Sequence, residues 1–133
     1  MDNPLVILVV EDEVLVRMVA ADVLSDAGFT VLESASAEEA LTFLETRPDV
    51  QVLFTDVNMP GALDGLGLAQ TVHTRSPGVG ILIGSGRIRP GPGELPPGAR
   101  FIAKPYASSA LTDAVRAVAR GQQGRGEHSM TSG

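Results

Sequence analysis

The sequence has 133 residues, of which 44% are hydrophobic, and a formal net charge of -6 with no cysteine. This length fits one domain of about 100–200 residues with a hydrophobic core. The acidic balance disfavours general affinity for nucleic acid or anionic membranes, and the lack of cysteine excludes disulfides, thiolate metal ligands and cysteine nucleophiles.

No apolar stretch approaches the about 20 residues that span a bilayer. The first residues lack the basic flank of a signal peptide, and the apolar run that follows is too short for one. We therefore expect a soluble, cytoplasmic protein with no membrane partner.

The chain alternates short apolar runs with segments of helical spacing. Strands are predicted for the apolar runs at 5–10, 29–32, 50–55, 79–83 and 99–103. Helices are predicted for the segments at 14–27, 36–46, 66–75 and 108–120. Ser36, with Glu39 three residues later, resembles a capping box. The order favours a parallel sheet with helices on both faces.

Two segments depart from this alternation of strands and helices. A helix is expected between the fourth and fifth strands, but residues 86–98 hold four prolines and four glycines. Because both residue types disfavour helix, we predict a loop or at most one turn there. The polar, glycine-rich residues 121–133 are predicted to form a disordered tail, which leaves residues 1–120 as the domain.

Polar residues directly follow the apolar strands. Glu11 and Asp12 follow the first strand, Asp56 the third, Ser85 the fourth and Lys104 the fifth. Ligands of open α/β sheets bind at the carboxyl ends of the strands, so these side chains should meet at one edge. Carboxylates held close together repel each other, and a hard divalent cation, Mg2+ before others, relieves this.

Glu11-Asp12, the segment 55–61, Ser85 and Lys104-Pro105 together resemble the receiver domain of bacterial two-component systems. The resemblance covers roughly residues 4–120. It implies a flavodoxin-like doubly wound five-stranded parallel sheet of order 2-1-3-4-5. The sequence departs from the family pattern in two places: the acidic pair is Glu11-Asp12 where Asp-Asp is common, and the fourth helix is missing. Many receivers signal or dimerise through the face that this helix helps to build, so the surface used for output is in doubt here.

The resemblance implies a role for each of these residues. Asp56 is expected to be the phosphoacceptor and Lys104 to contact the phosphoryl group. Asp12 is expected to be the main Mg2+ ligand, and Glu11 is expected to help bind the ion directly or through water. Asp56 itself and the backbone carbonyl of Asn58 are the other expected ligands.

Two further residues are expected to act as a switch. Ser85 resembles the hydroxyl that moves to the phosphoryl group, and Phe101 lies where such domains often carry a rotating aromatic. The alternative interpretations, without a switching function, are that Ser85 is simply part of a turn and that Phe101 simply packs in the core. The Lys104-Pro105 bond is often cis in the family.

The resemblance implies a response regulator, not an enzyme, that receives its phosphoryl group from a histidine kinase or histidine phosphotransfer protein. The segments 58–61 and 104–106, with Asp64-Gly65, are similar to stand-alone alphaproteobacterial receivers. Without a DNA-binding domain, output is expected through an unknown downstream protein or through phosphate transfer, from a monomer or weak dimer.

Two other functions stay open at this point. A haloacid-dehalogenase-type phosphatase also uses a strand-end aspartate and Mg2+, but it requires a second aspartate where this chain has Asn58. A pseudo-receiver would keep the fold as an interaction module without phosphorylation. The complete set of Asp12, Asp56, Ser85 and Lys104 argues against it, while the unusual loop at 86–98 keeps it open.

Overall fold

The computed structural model describes residues 4–57, 59, 61, 63–86 and 95–132, with the backbone alone for 122–132. Its elements, in chain order, are β1 Val6–Val10, α1 Val14–Asp26, β2 Thr30–Ser34, α2 Ala37–Thr46, β3 Val52–Asp56, α3 Gly65–Arg75, β4 Gly80–Ser85, β5 Arg100–Ala103 and α4 Ser108–Ser132. All five predicted strands and all four predicted helices are present, with ends shifted by a few residues except for the last helix, which continues about twelve residues beyond its predicted end.

The five strands form one sheet of order β2-β1-β3-β4-β5, and every neighbouring pair is parallel. The predicted order 2-1-3-4-5 is thus confirmed. The last residues of the central strands lie side by side, because Val10 pairs with Thr55 and Asp56 pairs with Gly84. The groups that follow these strands therefore emerge at one edge of the sheet.

The core has two layers, one on each face of the sheet. Leu8 and Val10 of β1 pack on the side of α2 and α3, while Ile7 and Val9 pack on the side of α1 and α4. All four of these side chains are buried. Because both faces of β1 are covered, its sequence is an unbroken apolar run instead of an alternating one.

The start of α2 has the predicted cap. The Ser36 hydroxyl accepts a hydrogen bond from the Glu39 amide at 3.1 Å, and Glu39 Oε1 accepts one from the Ala35 amide at 2.9 Å. Two amides that lack partners within the helix are thereby satisfied.

We expect Ser36→Ala to lower the free energy of unfolding by about 1 kcal/mol, because it removes one of these hydrogen bonds. Urea unfolding followed by circular dichroism measures this. Ser25→Ala is the matched control, since Ser25 is exposed in the last turn of α1. Equal losses for both variants would contradict a capping role for Ser36.

The connection from β4 to β5 contains no helix among its described residues, which are 86 and 95–99. The centre of the predicted loop, residues 87–94, lies outside the described residues. Proline has no amide hydrogen to donate to a helical hydrogen bond, and glycine loses more conformational entropy on folding than other residues do. The absence of a helix in the described flanks is therefore as expected.

The last helix is longer than the sequence predicts. A helix end is expected at Gly121, but the backbone of α4 continues to Ser132. The extension contains three glycines, Gly121, Gly124 and Gly126, and each costs a helix about 1 kcal/mol relative to alanine, while the glutamines and the arginine between them are good helix formers. The division into a domain of residues 1–120 and a tail of 121–133 stays a prediction.

Candidate functional site

Three carboxylates meet at the carboxyl edge of the sheet. Glu11 and Asp12 follow β1, and Asp56 is the last residue of β3. One carboxylate oxygen from each lies within 4.8 Å of the others. Glu11 is buried, with 4% of its surface exposed, and Asp12 and Asp56 are half-buried. A set of oxygen donors of this kind is what a hard cation such as Mg2+ binds.

Lys104 extends into this acidic cluster from the end of β5. Its Nζ lies 3.0 Å from Glu11 Oε1 and 3.3 Å from Asp56 Oδ1. Burial alone would lower the pKa of Lys104, but the hydrogen bonds and charges of Glu11 and Asp56 outweigh it and raise that pKa. The lysine is therefore a fixed positive charge beside Asp56.

The charges of the cluster do not balance without a cation. Three ionised carboxylates and one ammonium give a net charge of two negatives (three minus one) in a partly buried site. Burial raises the pKa of Glu11, although the Glu13 amide and Lys104 act in the opposite direction. A divalent cation would cancel this net charge, so the donor set fits Mg2+ in both chemistry and charge.

Arg17 fixes the backbone of the acidic loop, a role that was missing from the sequence predictions. Its Nη1 donates to the Glu11 carbonyl at 2.8 Å, and its Nε lies 3.3 Å from Glu33 Oε1. The Glu11 amide donates to the Ser34 carbonyl at 3.0 Å. The available signal was that Arg17 is the one basic residue in α1.

Ser85 and Phe101 lie on the two strands β4 and β5. Ser85 ends β4, is 2% exposed and pairs with Ala103 of β5. It therefore reaches the same edge as Asp56, as predicted. Phe101 is partly buried opposite Ile83, and its role as a switch stays a prediction. Asn58, predicted to offer its carbonyl, lies outside the described residues.

Tyr106 also lines the site, although the sequence analysis did not include it among the predicted site residues. It follows Lys104-Pro105, whose peptide bond is cis, and packs edge-on against Phe54 with ring centroids 6.0 Å apart. It lines a small pocket together with Asp56 and Lys104. Burial raises the pKa of Tyr106, so its hydroxyl stays protonated near neutral pH. The signal was an aromatic residue directly after the strand-end lysine and its proline.

An apolar groove leads from this site along α1. Its walls are formed by residues of α1 and by the segments after β4 and β5: Leu15, Val16, Val19, Gly86, Lys104, Pro105 and Tyr106. Leu15 is 75% exposed and Val19 is 60% exposed. Large apolar side chains clustered on a surface mark sites of protein contact.

A parallel sheet of order 2-1-3-4-5, with its polar site at the carboxyl edge, defines the doubly wound α/β class. Residues 7–116 match the response regulator receiver domain, and the chain belongs to that family. Receiver domains are signalling modules of two-component systems; they bind Mg2+ at an acidic cluster and interact with histidine kinases and downstream effectors.

The chain is similar to receivers of several bacteria. It is 31% identical over 109 residues to a putative NtrX-like response regulator of Rickettsia bellii, covering 79% of this chain and 23% of that protein. It is 33% identical over 118 residues to the C4-dicarboxylate transport regulator DctD of Rhizobium meliloti, covering 83% and 24%. The chain thus spans about a quarter of the length of these relatives.

Solved structures agree on the fold. A response regulator receiver protein from Sinorhizobium medicae superposes with a TM-score of 0.84 at 24% identity, covering 90% of this chain and 97% of that one. In the part of the chain that the structure describes, no helix is both long and apolar enough to cross a membrane.

Proposed function

We propose that this receiver accepts a phosphoryl group on Asp56 in a Mg2+-dependent reaction and signals through protein contact or onward phosphate transfer. The observation that carries the proposal is the position of Lys104 Nζ, 3.3 Å from Asp56 Oδ1, inside a cluster with two further carboxylates. A lone acidic turn would not have a partly buried cation beside its aspartate.

The reaction would proceed by attack of an Asp56 carboxylate oxygen on phosphorus. A new oxygen–phosphorus bond forms while the bond from phosphorus to the donor breaks, and the donor atom leaves with that electron pair. For a phosphohistidine the leaving atom is a ring nitrogen, which then takes up a proton. Lys104 would hold one phosphoryl oxygen, and Ser85 at the same edge would donate to another.

The residues that would hold Mg2+ are Asp12 and Asp56, with Glu11 nearby and the Asn58 carbonyl as predicted. When bound, the ion supplies positive charge that offsets the phosphoryl oxygens and the carboxylates. Asp56 would supply the nucleophilic oxygen. Lys104 alone compensates only one of the three carboxylates.

We place the docking of the phosphoryl donor on the apolar surface of α1. The groove is lined by Leu15, Val19 and Lys104, and Lys104 Nζ lies 3.3 Å from Asp56 Oδ1, so a helix lying there would bring its histidine near Asp56. A histidine kinase or histidine phosphotransfer protein has the required chemistry. The similarity of segments 58–61 and 104–106 to stand-alone receivers supports a cytoplasmic single-domain regulator whose output is a protein partner.

Intact-mass spectrometry after incubation with acetyl phosphate tests the proposal. We expect one phosphoryl addition with Mg2+ and none when the metal is removed by a chelator. Folded wild-type protein that accepts no phosphoryl group, from acetyl phosphate or from a panel of phosphorylated histidine phosphotransfer proteins, would overturn the proposal and favour a non-phosphorylated interaction module.

Asp12→Asn should raise the Mg2+ concentration needed for half-maximal phosphorylation by about 10-fold or more, because one anionic ligand becomes neutral. A Mg2+ titration of the phosphorylation rate measures this. Asp22→Asn on the exposed side of α1 is the control with the same chemical change. An unchanged Mg2+ requirement in Asp12→Asn would exclude Asp12 as a ligand.

A further inference from the structure

Thr55 places a hydroxyl group inside the apolar core, directly before Asp56 in the chain. Thr55 is 0% exposed, and its partners in the neighbouring strands are Val10 of β1 and Ile83 of β4, which are both buried. Valine has the same shape and would fill this position without the cost of removing a hydroxyl from water. Packing alone therefore does not account for the hydroxyl.

The Thr55 hydroxyl donates a hydrogen bond to the backbone carbonyl of Asp56 at 3.1 Å. This carbonyl lies just beyond the point where the pairing of β3 with β1 stops, because Val10 and Thr55 are the last residues that pair. Buried backbone carbonyls need a donor, and at this end of the ladder a side chain supplies one.

The peptide unit between Asp56 and Val57 is held at both ends. Its carbonyl accepts from Thr55, and its N–H, which belongs to Val57, donates to the Gly84 carbonyl at 3.0 Å. Gly65 packs against the same carbonyl, since a Cβ added to it would overlap the oxygen. Because a peptide unit is planar, fixing both ends fixes the rotation about the Asp56 Cα–C bond. The direction in which the Asp56 side chain leaves the strand is fixed with it.

We propose that Thr55 is a positioning residue whose hydroxyl holds the Asp56 carbonyl and, through the backbone, aims the carboxylate that attacks phosphorus. The proposal rests on the proposed function, because it assigns Thr55 a part in that same reaction. Side chains alternate between the two faces of a strand, so Thr55 faces the layer of α2 and α3, as Leu53 does. It therefore acts on Asp56 through the backbone and not at the reacting atoms.

Thr55→Val and Thr55→Ser separate positioning from packing. Valine keeps the shape and loses the hydroxyl, whereas serine keeps the hydroxyl and loses the buried methyl group. We expect Thr55→Val to slow phosphoryl addition from acetyl phosphate at saturating Mg2+ by about 10-fold or more, because a small misplacement of a reacting group is costly. The rate of Thr55→Ser should stay within about 3-fold of wild type.

Urea unfolding of the same variants shows whether the rate merely follows stability. Thr55→Ser lowers the urea midpoint through the cavity that the methyl group leaves, and Thr55→Val lowers it through the carbonyl that loses this donor. A role in packing alone predicts rates that follow these midpoints. A Thr55→Ser protein as slow as Thr55→Val, or a Thr55→Val protein at the wild-type rate, would overturn the proposal.

Thr71→Val is the matched control. It makes the same chemical change in α3, where the Thr71 hydroxyl donates to the Gly67 carbonyl at 2.9 Å. That hydrogen bond lies within the helix and does not touch the Asp56 peptide, so the rate of phosphoryl addition should equal that of wild type. An equal slowing in Thr71→Val and Thr55→Val would show a general effect of losing a threonine hydroxyl, and would overturn the proposal.

Nuclear magnetic resonance tests the hydrogen bond without the reaction. A carbonyl 13C resonance moves to lower frequency when its hydrogen bond is lost, so that of Asp56 should move in Thr55→Val and stay in Thr55→Ser. In the wild type, the Thr55 hydroxyl proton should be visible, because burial and its hydrogen bond slow its exchange with water. An Asp56 carbonyl resonance that is unchanged in Thr55→Val, or a wild-type hydroxyl proton in rapid exchange, would overturn the proposal.

The two proposals fail in different ways. Wild-type protein that shows no phosphoryl addition overturns the proposed function, and the reaction role of Thr55 with it. Wild-type protein that is phosphorylated, together with Thr55→Val at an unchanged rate, overturns the positioning role alone.

Discussion

Asp56→Asn should abolish phosphoryl addition from acetyl phosphate, while its free energy of unfolding without Mg2+ should equal or exceed that of wild type by up to about 1 kcal/mol. The amide lacks the anionic oxygen that attacks phosphorus. It also removes the repulsion between Asp56 and the other two carboxylates. The substitution weakens the 3.3 Å ion pair with Lys104, but that lysine keeps its shorter ion pair with Glu11.

Intact mass and urea unfolding measure these two effects on the same sample. Asp64→Asn is the matched control: Asp64 is exposed on the loop that follows Asp56 and accepts from the Gly67 amide at 2.8 Å. Asparagine caps helices about as well as aspartate, so phosphorylation and stability should both be retained. An Asp56→Asn protein that still gains a phosphoryl group would show that another residue is the acceptor.

Gly65→Ala should destabilise the protein by about 1–3 kcal/mol or more and slow phosphorylation about 100-fold. A Cβ at this position would overlap the backbone carbonyl oxygen of Asp56, and it would lie 2.7 Å from the carbonyl carbon. The Gly65 amide also donates to the Val57 carbonyl at 3.0 Å. The start of α3 would have to move away, and the strand end that carries the acceptor would move with it.

Gly121→Ala makes the same chemical change in a helix where nothing lies within 4 Å of the added carbon. It should be neutral or stabilise by up to about 1 kcal/mol, because alanine favours helix more than glycine does. Urea unfolding and the initial rate of phosphoryl addition decide both predictions. Equal behaviour of the two variants would contradict close packing between Gly65 and Asp56.

The positions of the site residues along the strands could be predicted because a parallel sheet leaves few choices. Strands covered on both faces appear as apolar runs, and their carboxyl ends share one edge. This reasoning placed Glu11, Asp56, Ser85 and Lys104 at that edge, where the structure has them. Ser36 could be predicted as a cap because its partner Glu39 is local in sequence.

The contacts within the site could not be predicted in the same way. Whether Lys104 reaches Glu11 across two strands depends on sheet twist and rotamers, which are set by the whole fold. The same holds for Arg17, whose partners come from β2 and the end of β1. Helix length was missed at Gly121 because propensity is a weak local preference.

The most direct test of the central claim is to find which residue carries the phosphoryl group. Treating phosphorylated protein with borohydride reduces an acyl phosphate to an alcohol, so the modified aspartate becomes homoserine and keeps its place in a peptide map. We predict homoserine at position 56 in Mg2+-treated protein, and aspartate there when the metal is withheld. Homoserine at any other aspartate, or a phosphoryl group that resists borohydride because it resides on a histidine or hydroxyl, would contradict the assignment of Asp56 as the acceptor.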